Sequence, residues 1–107
     1  MSWQSRIIAA HTAVTDAVSH GQRLKSERYF VWTETGANDL IANGRHIERA
    51  MRGYTDLFTK IEFDPWGEAF CEALDAQGIA WQLGALDFEP TTGFWHWQWD
   101  WQVRYGD

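Results

Sequence analysis

Phe94-Trp95-His96-Trp97-Gln98-Trp99-Asp100-Trp101-Gln102-Val103-Arg104 places a Trp at every second position from 95 to 101, with polar residues between them. Alternate residues of an extended strand point to opposite faces. Trp95, Trp97, Trp99, Trp101 and Val103 therefore share one face, and His96, Gln98, Asp100, Gln102 and Arg104 share the other. The stretch is expected to be a β-strand with one apolar side. A buried aromatic side chain covers roughly 150–250 Å², and a chain of 107 residues holds one modest core. Part of this face is expected to lie on helices as core, and part to meet a partner.

Upstream of that strand, Pro90-Thr91-Thr92-Gly93 is a turn, and Ile79–Gly84 with Leu86–Glu89 forms the first arm of a C-terminal hairpin. Asp64-Pro65 starts a helix: the carboxylate caps free amides, and Pro at the first helical position gives up a bond that was unavailable anyway. Trp66, Phe70, Ala73 and Leu74 make its apolar side, and Gly78 ends it. Arg28–Thr33 is aromatic and β-branched on both faces, as in a central strand. His46–Arg52 and Tyr54–Glu62 flank Gly53 and read as two extended pieces joined by a tight bend. Glu34–Gly44 has turn formers at both ends and a short apolar centre, which predicts a loop of about ten residues. Trp3, Ile7, Ala10, Val14 and Ala17 recur at helical spacing, with Gly21 as terminator.

The order α-β-β-β-α-β-β follows, without internal repeat, low-complexity tract or linker. The fold class is α+β: residues 1–107 form a single domain with a mainly antiparallel or mixed sheet and two helices packed on one face. Trp32, Leu57, Phe70, Leu74, Trp81 and Trp97 are the expected core.

A net charge of −6 offers no basic patch for phosphate neutralisation, so direct nucleic-acid binding is not expected. No run approaches the roughly 20 apolar residues of a membrane span. Cys71 is the one cysteine and the start of the chain opens no long apolar run, which predicts a soluble protein made in a reducing cytoplasm. The four His and Cys71 lack the short paired spacing of zinc sites, so no metal or cofactor is expected. His11 is expected at a helix edge and Cys71 as a half-buried helix residue. Acidic pairs such as Asp87 and Glu89 read as a solvated face. With no phosphate loop or nucleophile elbow, the expectation is that the chain is not an enzyme.

Surplus aromatic surface points instead to assembly. The candidate interface joins the polar stretch Thr35–Arg45, with Asn38, Asp39, Leu40 and Arg45, to the exposed part of the last hairpin, with Trp95, Trp99 and Trp101. The alternative is a small carbohydrate- or ligand-binding module using the Trp row as a platform. Alternation weakens it, because His96, Gln98 and Asp100 fall on the face away from the rings.

Four stretches carry a family resemblance: Arg28-Tyr29-Phe30-Val31-Trp32-Thr33-Glu34, Gly53-Tyr54-Thr55-Asp56-Leu57-Phe58-Thr59-Lys60, the Asp64-Pro65 helix running to Gly78-Ile79-Ala80-Trp81, and Phe88–Trp97. In that order and spacing the chain resembles the tail-completion or tail-terminator proteins of long-tailed bacteriophages and prophages. The resemblance implies an α+β subunit whose copies form a ring, commonly a hexamer, ending the tail tube and contributing to head–tail joining. It implies the tail tube protein and a head–tail connector protein as partners, the virion tail as location, and the bacterial host cytoplasm as place of synthesis. It carries no catalytic residues. Eight Trp depart from that family's more usual mixture of Tyr, Phe and Ile in the final strand.

Overall fold

The computed structural model describes residues 2–42 and 45–104, with the backbone alone for 38–42 and 45–48. Its elements are α1 (Trp3–Thr12), β1 (Val18–His20), β2 (Arg28–Ala42), β3 (Arg45–Thr59), α2 (Pro65–Ala76), β4 (Ala80–Glu89) and β5 (Phe94–Arg104). The five strands form one mixed sheet in the order β1-β2-β3-β5-β4. Among the described residues only the β1–β2 pair is parallel. The fold is α+β with the expected element order, although the three strands between the helices are not the three segments expected.

The first difference lies after α1. Ser2 caps this helix through the Ser5 amide (3.1 Å), and the helix stops at Thr12. Beyond it the Thr15 hydroxyl accepts the Ala17 amide (3.1 Å), a local side-chain bond that competes with helix continuation. Val18–His20 then runs beside Phe30–Trp32 as β1. Val14 still packs on the main core and Ala17 on a second, smaller one, so their helical spacing reflects burial without helix.

The second difference is at Gly53, which sits mid-strand in β3. A Cβ there would lie 2.4 Å from the Trp101 indole and 2.5 Å from the Thr33 carbonyl oxygen. Gly53 pairs directly with Trp101, and it is Gly because the ring lies across the strand at that point, not because the chain bends.

The third difference concerns Glu34–Gly44. Its residues through Ala42 belong to β2, paired antiparallel with β3. The register slips between Glu34 and Gly36, and Gly36 has φ +142°, a backbone form that side chains disfavour. The Thr35-Gly36 pair marks a β-bulge instead of a turn. Asn43-Gly44, the turn formers at the far end, lie outside the described residues.

Both helices cover the same side of the sheet. Ile7 and Ala10 of α1 and Phe70 and Leu74 of α2 pack on Phe30, Trp32 and Leu57 and on Trp97, Trp99 and Trp101 of β5. Of the six expected core residues, Trp81 alone is only partly buried, held by a bond from its Nε1–H to Asp75 (2.7 Å). Gly67 of α2 leaves room for the Trp97 ring, which a Cβ would meet at 2.4 Å. Among the described residues no helix covers the opposite side, where Tyr29, Val31 and Phe58 form a small second cluster roofed by the Arg23 guanidinium, 3.9 Å above the Phe58 ring.

Candidate functional site

The alternation along β5 is realised: Trp97, Trp99, Trp101 and Val103 are buried, and Asp100, Gln102 and Arg104 are exposed. Burial is nearly total for Trp99 (0%) and Trp101 (1%), which corrects their place in the candidate interface. Two helices and β2 close over them, so they bind this chain to itself and present nothing to a partner. Trp95 is half-buried, 4.9 Å from the Phe88 ring. An exposed row of rings on which a sugar could stack is not presented by Trp97, Trp99 and Trp101.

The apolar surface that does face solvent lies one strand further out. Leu83, Leu86 and Phe88 of β4 are 39%, 41% and 46% exposed. They pair with Trp99, Trp97 and Trp95 respectively and so lie on the helix-covered face, beyond the part that α2 covers. Strand β4 is the edge of the sheet, leaving one row of its backbone N–H and C=O groups without an intrachain strand. The sequence carried a signal for this strip that went unread. Trp81-x-Leu83 and Leu86-x-Phe88 alternate but are out of phase by one residue, and the structure places a register shift there, between Leu83 and Ala85.

The other surface is the distal part of the β2–β3 hairpin. Strand β1 pairs with β2 at Phe30–Trp32, and β5 pairs with β3 no further than Ala50. Among the described residues, Asp39–Ala42 and Arg45–Arg49 are paired with each other and with no third strand. The molecule is elongated, with a long axis of 51 Å against 24 and 21 Å in the other directions. The candidates Asp39, Leu40 and Arg45 fall on the arm and Asn38 immediately before it, all as strand residues and not on a loop, and their side chains lie outside the described residues.

The polar residues inside the fold serve structure. His11 is fully buried, not at a helix edge. Its Nδ1 is 2.6 Å from the Ile7 carbonyl oxygen and its Nε2 is 2.9 Å from Thr55 Oγ1. A carbonyl only accepts, so Nδ1 carries the proton, Nε2 accepts from the Thr55 hydroxyl, and Thr55 Oγ1 in turn accepts the Trp101 Nε1–H (2.9 Å). Burial drives the His11 pKa down from 6.5 to about 4, against the opposing pull of the Ile7 carbonyl. The ring is neutral at physiological pH.

Asp64 caps α2 through the Trp66 amide (2.9 Å) and has a fully buried side chain. Burial alone would raise its pKa, but the Arg28 guanidinium, the Thr59 hydroxyl and the Trp66 amide together hold it below the usual carboxylate range. The Arg28–Asp64 pair is bidentate, at 2.8 and 2.5 Å, and the guanidinium also lies 3.7 Å over the Trp66 ring. This cluster ties the start of α2 to the neighbouring ends of β2 and β3.

Cys71 is half-buried, as expected. Burial pushes its thiol up, against the Trp99 Nε1–H bonded to Sγ at 3.3 Å, so it stays a thiol at neutral pH. Among the described residues, no group of three or more His, Cys, Asp or Glu is placed to hold a metal ion, and no helix is long and apolar enough to cross a membrane.

These features define the class: an α+β domain with Trp97, Trp99 and Trp101 turned inward, an apolar edge on β4 and a two-stranded hairpin arm. No protein-family model and no curated protein matches the chain.

Proposed function

We propose that this chain is a structural subunit that assembles with copies of itself into a ring. It acts by binding, with no bond made or broken. The observation that carries this reading is the open apolar edge of β4 together with the two-stranded arm. A two-stranded ribbon is marginal in water by itself, and an uncovered apolar edge strand is a template for pairing with another chain. Both features are explained together if each meets a second copy.

The sequence resemblance supplies the biological setting within this proposal: termination of a phage or prophage tail tube by a ring, commonly hexameric, with the tail tube protein and a head–tail connector as partners. A ring requires a heterologous interface, in which one patch meets a different patch of its neighbour, and the β4 edge and the arm differ from each other. The test is solution mass by light scattering over a concentration series, with negative-stain imaging of the heaviest species. Growth of a closed particle as concentration rises is the expected result. A monomer at every concentration, in low and moderate salt, overturns it.

A further inference from the structure

The side of the sheet turned away from both helices carries a cavity of about 500 Å³, with Arg52, Tyr54, Ala80, Gln82, Asp100 and Gln102 around it. Cross-strand pairing sets Arg52, Gln102 and Ala80 in one row and Tyr54, Asp100 and Gln82 in the next, so these six side chains share one face. The row between them, Gly53, Trp101 and Trp81, turns its side chains to the helices. The floor of the cavity is therefore main chain: Gly53 has no side chain to offer, and the Trp101 ring is buried on the far side. Strands stand roughly 4.8 Å apart and the two rows roughly 7 Å apart, a footprint of one or two sugar rings. The volume falls within the range of small-molecule sites.

Elsewhere on this face the polar side chains are committed within the chain. Asp56 accepts from His96 Nε2 (2.7 Å) and Gln98 Nε2 (3.2 Å), and Arg23 lies over Phe58 and 3.5 Å from Glu89. Around the cavity, the side chains of Arg52, Tyr54, Gln82, Asp100 and Gln102 have no hydrogen bond or ion pair among the described residues. The bond at its rim runs from the Thr35 hydroxyl to the Arg52 carbonyl oxygen (3.2 Å) and leaves the guanidinium unused. A β-bulge flanks these rows on each side, one in β2 at Glu34–Gly36 and one in β4 at Leu83–Ala85, and bulges re-aim side chains beside sites. Gly84, the extra residue of the second bulge, makes room for the Asp100 carboxylate, whose Oδ2 a Cβ there would meet at 2.9 Å.

We propose that this cavity is a saccharide-binding site that takes one or two neutral pyranose units of an oligosaccharide. The half-buried Tyr54 is the stacking platform, Asp100 accepts from ligand hydroxyls, and Arg52, Gln82 and Gln102 donate to them. A guanidinium only donates, a carboxylate only accepts and the amides do both, which matches vicinal hydroxyls that each donate and accept. With one cationic and one anionic side chain, the wall favours neither simple anions nor simple cations. A small zwitterion engages only Arg52 and Asp100 and leaves both amides and most of the volume unused. The inference goes beyond ring assembly and does not depend on it. It also resolves the conflict that alternation along β5 sets up, because ring and polar groups come from neighbouring strands of one face, away from the buried Trp row.

The experiment is isothermal titration calorimetry of the full chain with neutral trisaccharides of α- and β-linked glucose, galactose, mannose and N-acetylglucosamine, and with glycine as the zwitterion probe. Saturable binding of at least one trisaccharide with a Kd of about 1 mM or below is expected. Asp100→Ala should weaken it about tenfold or more, and Arg52→Ala and Gln102→Ala about threefold or more. These three sites are exposed, and circular dichroism checks that each variant folds. Gly84→Ala is the finer test: the end of a flexible side chain gives way to the new methyl group, so the fold stays intact while the carboxylate is pushed aside and binding weakens about threefold or more. Asp87→Ala, on the same face but outside the cavity, should leave the Kd within about twofold. No saturable binding by any trisaccharide up to about 10 mM overturns the proposal. Binding that survives Asp100→Ala, Arg52→Ala and Gln102→Ala unchanged also overturns it, since the sugar then sits elsewhere. Saturable binding of glycine in place of the trisaccharides overturns the ligand class.

Discussion

The inner and outer halves of the β2–β3 hairpin are one continuous pair of strands with opposite supports. Near Arg28–Thr33 and Tyr54–Thr59, the pair has strands on either side and the helix-covered core on one face. From Asp39 to Arg49 the same two strands have each other alone among the described residues. The difference teaches that strand formation and strand stabilisation are separate matters in this chain. Local pairing extends the ribbon, whereas burial of aromatic side chains secures only its inner half.

The sharpest break of that contrast is Trp101→Ala. It empties the space over Gly53 and removes the donor to Thr55. We expect a loss of about 4 kcal/mol, measured by urea unfolding; a loss under about 1 kcal/mol would mean that the inner half is not secured by its Trp residues.

Acid should act next, through the neutral His11. Its folded pKa of about 4 lies below its ordinary 6.5, so the unfolded chain binds the proton more readily. Stability is full above pH 6.5 and declines as pH falls from there toward 4, by up to roughly 3 kcal/mol. Asp64, held low by its partners, adds its own loss only at still lower pH. Unfolding free energies from pH 7.5 to 4.5 should show the decline, and His11→Gln should flatten it; an unchanged slope in that variant would assign the acid sensitivity elsewhere.

Gly53→Ala is expected to cost about 2 kcal/mol through overpacking against Trp101 and the Thr33 carbonyl. Differential scanning calorimetry of the variant beside Gly36→Ala would separate this close contact from simple backbone strain, because nothing lies within 4 Å of a Cβ at Gly36.

The smallest effect should come from the outer half. Replacing residues 38–48 by a two-residue turn is expected to change unfolding free energy by less than about 1 kcal/mol, while abolishing assembly in light scattering. A large loss of monomer stability would show that the arm supports the core after all.

The C-terminal hairpin, the Asp64-Pro65 helix and the side assigned to each Trp were legible because period and capping are local properties. Trp97, Trp99 and Trp101 lie on the apolar side of their strand, as alternation required. Other segments were misread where a residue served a distant contact. Gly53 looked like a bend because glycine marks turns, and its reason for being glycine is a ring 48 positions away in the chain. Thr35-Gly36 looked like the start of a loop because a bulge uses the same residue types as a turn. His11 carried no sign of burial, since its partner Thr55 is contributed by β3.

By itself, the sequence determined the α+β class, the start of α2 and the two-sided character of β5, because these follow from spacing, capping and alternation within a few residues. Tertiary structure alone decided that Trp99 and Trp101 are core and not contact surface, that β4 is an exposed edge, and that Asp39–Ala42 belongs to an arm. Exposure depends on which strand becomes the edge of the sheet and how far each helix reaches across it, and both are set by contacts between residues remote in the chain.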